Sequence, residues 1–263
     1  MMREKWIKQY GHLLDKEGAF LKAIDKITHA QRYYERQETQ FCSPDIAYGM
    51  SAILKTLPEL NAIKWGGYDG AERVRFLIAP DFEELNQSDF GIQALEYQFP
   101  SKFHSVAHRD VLGALMGLGI QRERTGDILI GDTSFVMILD SDLCDYVLMS
   151  LESVGRAPVK GTKIELSEIT EMIRPIKLKS DTVKSLRLDA VVASFYNLSR
   201  GDAQKLVATE KVKVNYRPTV SNAYEVDVED LISVRGYGRF SIHAIEGTTK
   251  KERIRIVFSS SEN

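Results

Sequence analysis

Cysteine is almost missing from this chain of 263 residues: Cys42 and Cys144 stand far apart, and no Cys-x-x-Cys pair occurs. A zinc ribbon or dithiol redox couple therefore has no support, and both thiols are expected as small buried hydrophobes. No apolar run approaches the ~18 residues that a membrane-spanning helix needs. Residues 1–10 carry Arg3, Glu4, Lys5 and Lys8 in place of the apolar core of a secretory signal. A soluble cytoplasmic monomer without membrane contact is expected. Strong charge is also lacking. A net charge of −2 announces no nucleic-acid partner by itself, because attraction to phosphate depends on local clusters of cations rather than on their sum.

Signatures of common catalysts are absent too. There is no glycine-rich dinucleotide loop, P-loop, nucleophile elbow or aspartate in a recognisable pseudouridine-synthase setting, so no catalytic residue, cofactor or metal is expected. His104 and His108, one helical turn apart beside Arg109 and Asp110, suggest a metal or acid–base cluster. Against that, Ser105 stands where a metal-hydrolase helix carries glutamate, and no third ligand is marked. His108 and Arg109 are better read as a polar patch at a helix start and a candidate second RNA surface. Gly113, Gly117 and Gly119 are expected to let helix and sheet approach closely. Internal repeats and low-complexity tracts are missing as well.

What is present is a change of period along an α+β chain. Phe20, Ile24 and Ile27 mark a first helix; Ser43 as N-cap, Pro44 and the apolar set Ile46, Met50, Ile53, Leu54 and Leu57 mark a second, stopped by Pro58. The Gly66–Gly70 cluster marks a turn and a boundary, giving a helical N-terminal domain over 1–70. Strands are expected at 74–79, 92–99, 127–130, 134–139 and 162–166, with helices at 104–118 and 143–154. Setting aside the first strand, the order is β-α-β-β-α-β, a ferredoxin/RRM-like domain over 71–174. Thr133 to Ile138 offers one aromatic, fewer than RRM base stacking uses, so a structural unit and an RNA surface both stay open. Tyr33, Tyr34, Trp65 and Tyr68 fit base-stacking platforms, but core or interdomain packing is the expectation. Pro175 to Ser180 reads as a connector into a third domain, 181–263.

That last segment holds 13 Lys+Arg against 11 Asp+Glu, and residues 1–180 hold 22 against 26, so the excess is slight and placement matters more. From Leu186 the chain reads LRLDAVVASFYNLSRGDAQKLVATEKVKVNYRPTV. Leu188, Val191, Val192 and Phe195 face one helix inward; Ser199 and Asp202 cap a second that buries Ala203, Leu206 and Val207 and leaves Arg200, Gln204 and Lys205 to solvent. Lys211 to Asn215 alternates, valines inward. Arg217 follows at a turn, and Arg235-Gly236-Tyr237-Gly238-Arg239 closes a hairpin.

The run Arg187-Leu188-Asp189, then Ser199-Arg200, then Val212 to Asn215 and a later Val-acidic stretch ending at Asp230 resembles the S4 RNA-binding domain. That domain occurs in a small-subunit ribosomal protein, tyrosyl-tRNA synthetases, pseudouridine synthases and a heat-shock RNA-binding protein. The resemblance implies a basic face docked on RNA backbone and shape, with Arg187, Arg200, Lys205, Lys211, Lys213 and Asn215 at the matching positions. Gln204, Arg217, Arg235 and Arg239 extend the expected RNA-binding set. Two glycines usual in the family are replaced here, by Lys211 and Glu229, which is expected to weaken those turns. His108 to Ile120, followed by Arg122 and Gly126-Asp127-Ile128, is similar to the middle domain of the bacterial YlmH family of S4 proteins. That resemblance implies binding to the large ribosomal subunit, its rRNA and peptidyl-tRNA during rescue of stalled nascent chains, with a link to cell division. An RNA-modifying enzyme with an appended S4 domain and a division adaptor are the alternatives. Arg187→Ala with Arg200→Ala is expected to weaken RNA binding while leaving thermal stability nearly unchanged.

Overall fold

The computed structural model describes residues 2–10, 18–172, 177–249 and 252–260, and the chain divides into two compact units, 1–173 and 174–263. The first unit opens with α1 (Met2–Tyr10) and α2 (Ala19–Tyr33). Helix α2 buries Phe20, Ala23, Ile24, Ile27 and Ala30, the stripe that a 3.6-residue period makes of the four-then-three spacing. Helix α3 (Pro44–Leu54) starts where Pro44 loses nothing, since the first helical N–H has no partner in any case. Ser43 precedes it in extended conformation, but its hydroxyl donates to the Asp45 carboxylate rather than capping the backbone.

Strands β1 (Gln37–Glu38), β2 (Leu60–Trp65) and β3 (Arg75–Pro80) form an antiparallel sheet in the order β1-β3-β2. The Gly66–Gly70 turn joins β2 to β3. A Cβ at Gly66 would lie 2.4 Å from the Arg73 carbonyl oxygen, and Gly67 has φ +100°, so both positions require glycine.

Next come β4 (Ile92–Gln98), α4 (His108–Gly117), β5 (Thr125–Ile130), β6 (Ser134–Asp140), α5 (Cys144–Ser150), the small hairpin β7 (Ser153–Val154) and β8 (Ala157–Pro158), and β9 (Lys160–Ile164). The antiparallel order β5-β6-β4-β9 is that of the ferredoxin-like arrangement. One face packs Leu95, Tyr97, Phe135 and Met137 against Val111, Leu115, Cys144 and Val147 of the two helices. The opposite face is covered as well: Ala94, Val136 and Ile138 pack with Phe41, Leu77, Trp65 and Tyr68. A sheet covered on both sides offers no RRM-type stacking platform.

Polar groups reinforce this packing. The Arg73 guanidinium donates to the carbonyls of Phe41 (3.0 Å), Arg122 (3.1 Å) and Thr125 (2.9 Å). Asp127 accepts from the Tyr68 hydroxyl at 2.8 Å and from the backbone N–H of Glu72 and Arg73. Buried donors and acceptors are thus matched across the seam, as a low-dielectric interior requires.

Several local expectations change. Helix α4 begins at His108, so His104 precedes it and the two histidines share no helical face. Gly113 and Gly117 are exposed with open space around them, and so is Gly119. They do not mediate close helix–sheet approach; Gly119, at φ +80°, turns the chain out of the helix. Cys42 and Cys144 are free and buried, and burial raises both thiols to about 11.

The second unit is a six-stranded antiparallel sheet, in the order β10-β15-β14-β13-β11-β12, with two helices on one side. In chain order these are β10 (Lys177–Val183), α6 (Leu188–Tyr196), α7 (Arg200–Ala208), β11 (Val212–Val214), β12 (Arg217–Pro218), β13 (Leu231–Val234), β14 (Gly238–Thr248) and β15 (Ile254–Ser260). Of the expected connector, Pro175 and Ile176 lie outside the described residues. Lys177 to Ser180 is instead edge strand, paired with β15. The core joins Leu188, Val191, Val192, Ala203 and Val207 to Val212, Val214, Ile232, Val234, Phe240 and Phe258.

Among the described residues of this unit, six that are not glycine have positive φ: Asn197 (+53°), Glu210 (+56°), Asn215 (+48°), Tyr216 (+67°), Glu229 (+70°) and Glu252 (+54°). Glu229 thus occupies a position where the family's glycine relieves real strain. Lys211 does not, because the positive φ falls on its neighbour Glu210.

Candidate nucleic-acid interface

The chain places Asp189 in the first turn of α6, two residues after Arg187, with its side chain fully buried. Asp189 accepts from Arg187 Nε (3.1 Å) and Nη2 (3.3 Å), Arg200 Nε (3.2 Å), Gln204 Nε2 (2.9 Å) and the Ala190 backbone N–H (3.0 Å). Arg200 and Gln204 share this contact because they lie one helical turn apart on α7. Ser199 fixes the start of that helix by accepting from the Asp202 N–H at 3.1 Å. Burial pushes the Asp189 carboxyl upward, but hydrogen bonds from Arg187, Gln204 and Arg200 outweigh it and hold the group at about 2. One negative charge thus organises two guanidinium groups. Their side chains keep 35% and 58% exposure, so N–H groups remain directed to solvent, where a phosphate can take two at once.

The other expected residues are distributed around this cluster. Lys205 is exposed on α7, and Lys211 lies just beyond it, its N–H bonded to the Leu206 carbonyl. Arg217 is exposed on the edge strand opposite Val214, hence on the helix side of the sheet. Lys213 pairs with Ser233, which pairs with Arg239, a row on the other face of the sheet. The cations therefore do not all converge on one surface. Arg235 is exposed in the β13–β14 hairpin, whose Gly236 and Gly238 have φ +88° and +112°. Asn215 is engaged internally: its amide nitrogen donates to Asp230 (2.7 Å) and its oxygen accepts from the Leu231 N–H (3.0 Å).

Asp189 was missed as a participant by reading the sequence for cations, although the Arg-Leu-Asp run contains it. Because both arginines bind this buried carboxylate, their joint replacement by alanine strips it of partners. A loss of stability is therefore expected of that double variant in place of an unchanged melting temperature.

In the first unit, His108 and Arg109 are exposed at the start of α4. Partial desolvation of the ring, then the Arg122 charge, lowers the pKa of His108. Trp65 and Tyr68 pack in the core, whereas Tyr33 and Tyr34 are exposed rather than buried. Among the described residues, no group of three His, Cys, Asp or Glu is placed to hold a metal ion, and no helix is long and apolar enough to cross a membrane.

Comparison with known proteins matches residues 16–82 to a family described as "YlmH, N-terminal", 86–168 to "Putative RNA-binding domain in YlmH" and 186–232 to "S4 domain". The chain is also similar to "Ribosome-associated protein quality control protein P2" of Bacillus subtilis (strain 168), with 38% identity over 250 residues, 95% of this chain and 97% of the relative. The chain belongs to the YlmH family. A solved YlmH structure, "Cell division protein ylmH from Streptococcus pneumoniae", aligns with 28% identity and a TM-score of 0.49 over 57% of this chain and 91% of that one.

The YlmH architecture found here, an α+β chain with a helical N-terminus and a C-terminal S4 domain, is that of an RNA-binding protein. Its S4 match contains the whole Asp189 cluster and ends before Arg235 and Arg239. Its middle match spans the sheet whose two faces are covered.

Proposed function

We propose that this YlmH protein is a cytoplasmic, non-catalytic monomer that docks on folded RNA through the helix side of its S4 domain. Its targets are large-subunit rRNA and peptidyl-tRNA on stalled ribosomes. The observation that carries the reading is the Asp189 cluster, which fixes Arg187, Arg200 and Gln204 before any ligand arrives. Preset donors lose less freedom on binding than free side chains do. Lys205, Lys211 and Arg217 add phosphate contacts around the cluster. Lys213, Arg235 and Arg239 lie outside the cluster and contribute only screened, longer-range charge. The name of the Bacillus subtilis relative supports the ribosomal setting.

Binding to a folded rRNA fragment across a salt series, with co-sedimentation on large subunits, tests the proposal. Lys205→Ala with Lys211→Ala removes only exposed amines. The log–log salt slope is expected to fall by about 0.9 per lost phosphate contact. Lys213→Ala, on the reverse face, is expected to change it less. An unaltered slope in the Lys205/Lys211 variant overturns the placement of the interface.

A further inference from the structure

Both faces of the first unit's four-stranded sheet are covered, yet one stretch of that unit has the make-up of a nucleic-acid contact. We propose that Lys102, Phe103, His104, His108 and Arg109 form a second RNA site, specific for single-stranded segments and separate from the S4 cluster. The inference rests on the reading of the chain as RNA-binding, not on the role of Asp189.

From Pro100 to Arg109 the sequence holds two permanent cations and two histidines and no carboxylate, within 180 residues whose acids outnumber their bases. Phe99 and Val106 are buried and anchor the loop on both sides of Phe103. Between them, the backbone N–H groups of Phe103 and His104 both donate to the Pro100 carbonyl, at 3.1 and 3.2 Å. In this turn the Phe103 side chain is 83% exposed, beside exposed Lys102.

Arg109 is 90% exposed. Asp110 stands 3.7 Å from its Nε and directs an oxygen to the Ala107 N–H. Further along α4, Gly113 and Gly117 leave open space where side chains would otherwise rise. An unpaired base has a π-face to lay on Phe103, and its flanking phosphates meet Lys102 and Arg109. This combination of an aromatic platform with cations is the one that single strands use. From Pro100 to Asp110 two permanent cations stand against one carboxylate, and this positive balance favours an RNA strand over an apolar protein partner.

The test uses the full chain and a 4-thiouridine-labelled single-stranded oligonucleotide, with crosslinked peptides mapped by mass spectrometry. A crosslink within 100–109 is expected. It should persist in the Lys205→Ala/Lys211→Ala variant and disappear in Phe103→Ala. Replacing Lys102, Phe103 and Arg109 together by alanine should weaken single-strand binding about tenfold, with an unchanged melting temperature and unchanged affinity for the folded rRNA fragment. No crosslink in 100–109, or undiminished single-strand affinity in the triple variant, overturns this site and leaves the S4 interface standing. Loss of folded-RNA binding only in the triple variant would overturn the S4 interface instead.

Discussion

Replacing Asp189 with asparagine separates two ways in which a basic face can hold RNA. The substitution keeps shape and removes one negative charge. Five donors point at the two carboxylate oxygens: Arg187 Nε and the Ala190 N–H at one, Arg187 Nη2, Arg200 Nε and Gln204 Nε2 at the other. An amide has one oxygen, so its NH2 group must face either two donors or three. Hydrogen bonds to charged groups contribute roughly 1.5–3 kcal/mol each. Losing two and weakening the rest, discounted because the arginine ends meet water, lowers stability by about 2–3 kcal/mol. If preset geometry carries binding, the released arginines must be ordered by the RNA itself, and affinity is expected to fall roughly tenfold. If undirected charge carried binding, the extra positive charge would tighten it. Fluorescence anisotropy with a folded rRNA fragment, below the melting transition found by circular dichroism, reads the sign. Equal or tighter binding by folded Asp189→Asn protein would refute the preorganised cluster.

Other expectations follow from single residues. Glu229 is exposed at φ +70°, so Glu229→Gly should raise stability by about 0.5–1 kcal/mol, seen as a higher midpoint in thermal denaturation. A Cβ at Gly161 would sit 2.4 Å from the Tyr97 ring, whose hydroxyl is fixed on the Val147 carbonyl. Gly161→Ala should therefore cost about 1–3 kcal/mol, measured by urea unfolding. The Asp189 carboxyl is held at about 2, below its ordinary 3.8. Its stabilising contribution is complete above pH ~4 and is lost as pH falls from there through 2. Acid titration of wild-type and Asp189→Asn protein should show curves that converge in that window.

Much of the chain was legible because its signals are local. The β-α-β-β-α-β order could be read from period alone, and Val212 and Val214 alternate with Lys211 and Lys213 as a half-buried strand must. The strand β2 was not legible: Leu60 to Trp65 is partly buried nearly throughout, so neither a helical nor an alternating pattern emerges. Lys177 to Ser180 reads as a polar linker because an edge strand needs no apolar stripe, and its pairing with Val257 to Ser260 is set by residues far away in sequence.

At the candidate site, Arg187 and Arg200 were legible as cations. Their convergence on Asp189 depends on how α6 packs against α7, which no spacing rule encodes. The fate of Asn215 was hidden for the same reason, because its partners Asp230 and Leu231 arrive from across the sheet. Tyr33 and Tyr34 misled in the opposite direction. Aromatic character favours burial, but these two sit at the end of α2, where Tyr34 adopts the left-handed turn that ends the helix.

Imaging the chain on the large ribosomal subunit tests the central claim most directly. The account expects α6 and α7 against the RNA, with the Arg187 and Arg200 guanidinium groups within hydrogen-bond distance of phosphate oxygens while both still hold Asp189. Helices turned toward solvent or toward ribosomal protein, with RNA contacted only elsewhere on the chain, would contradict it.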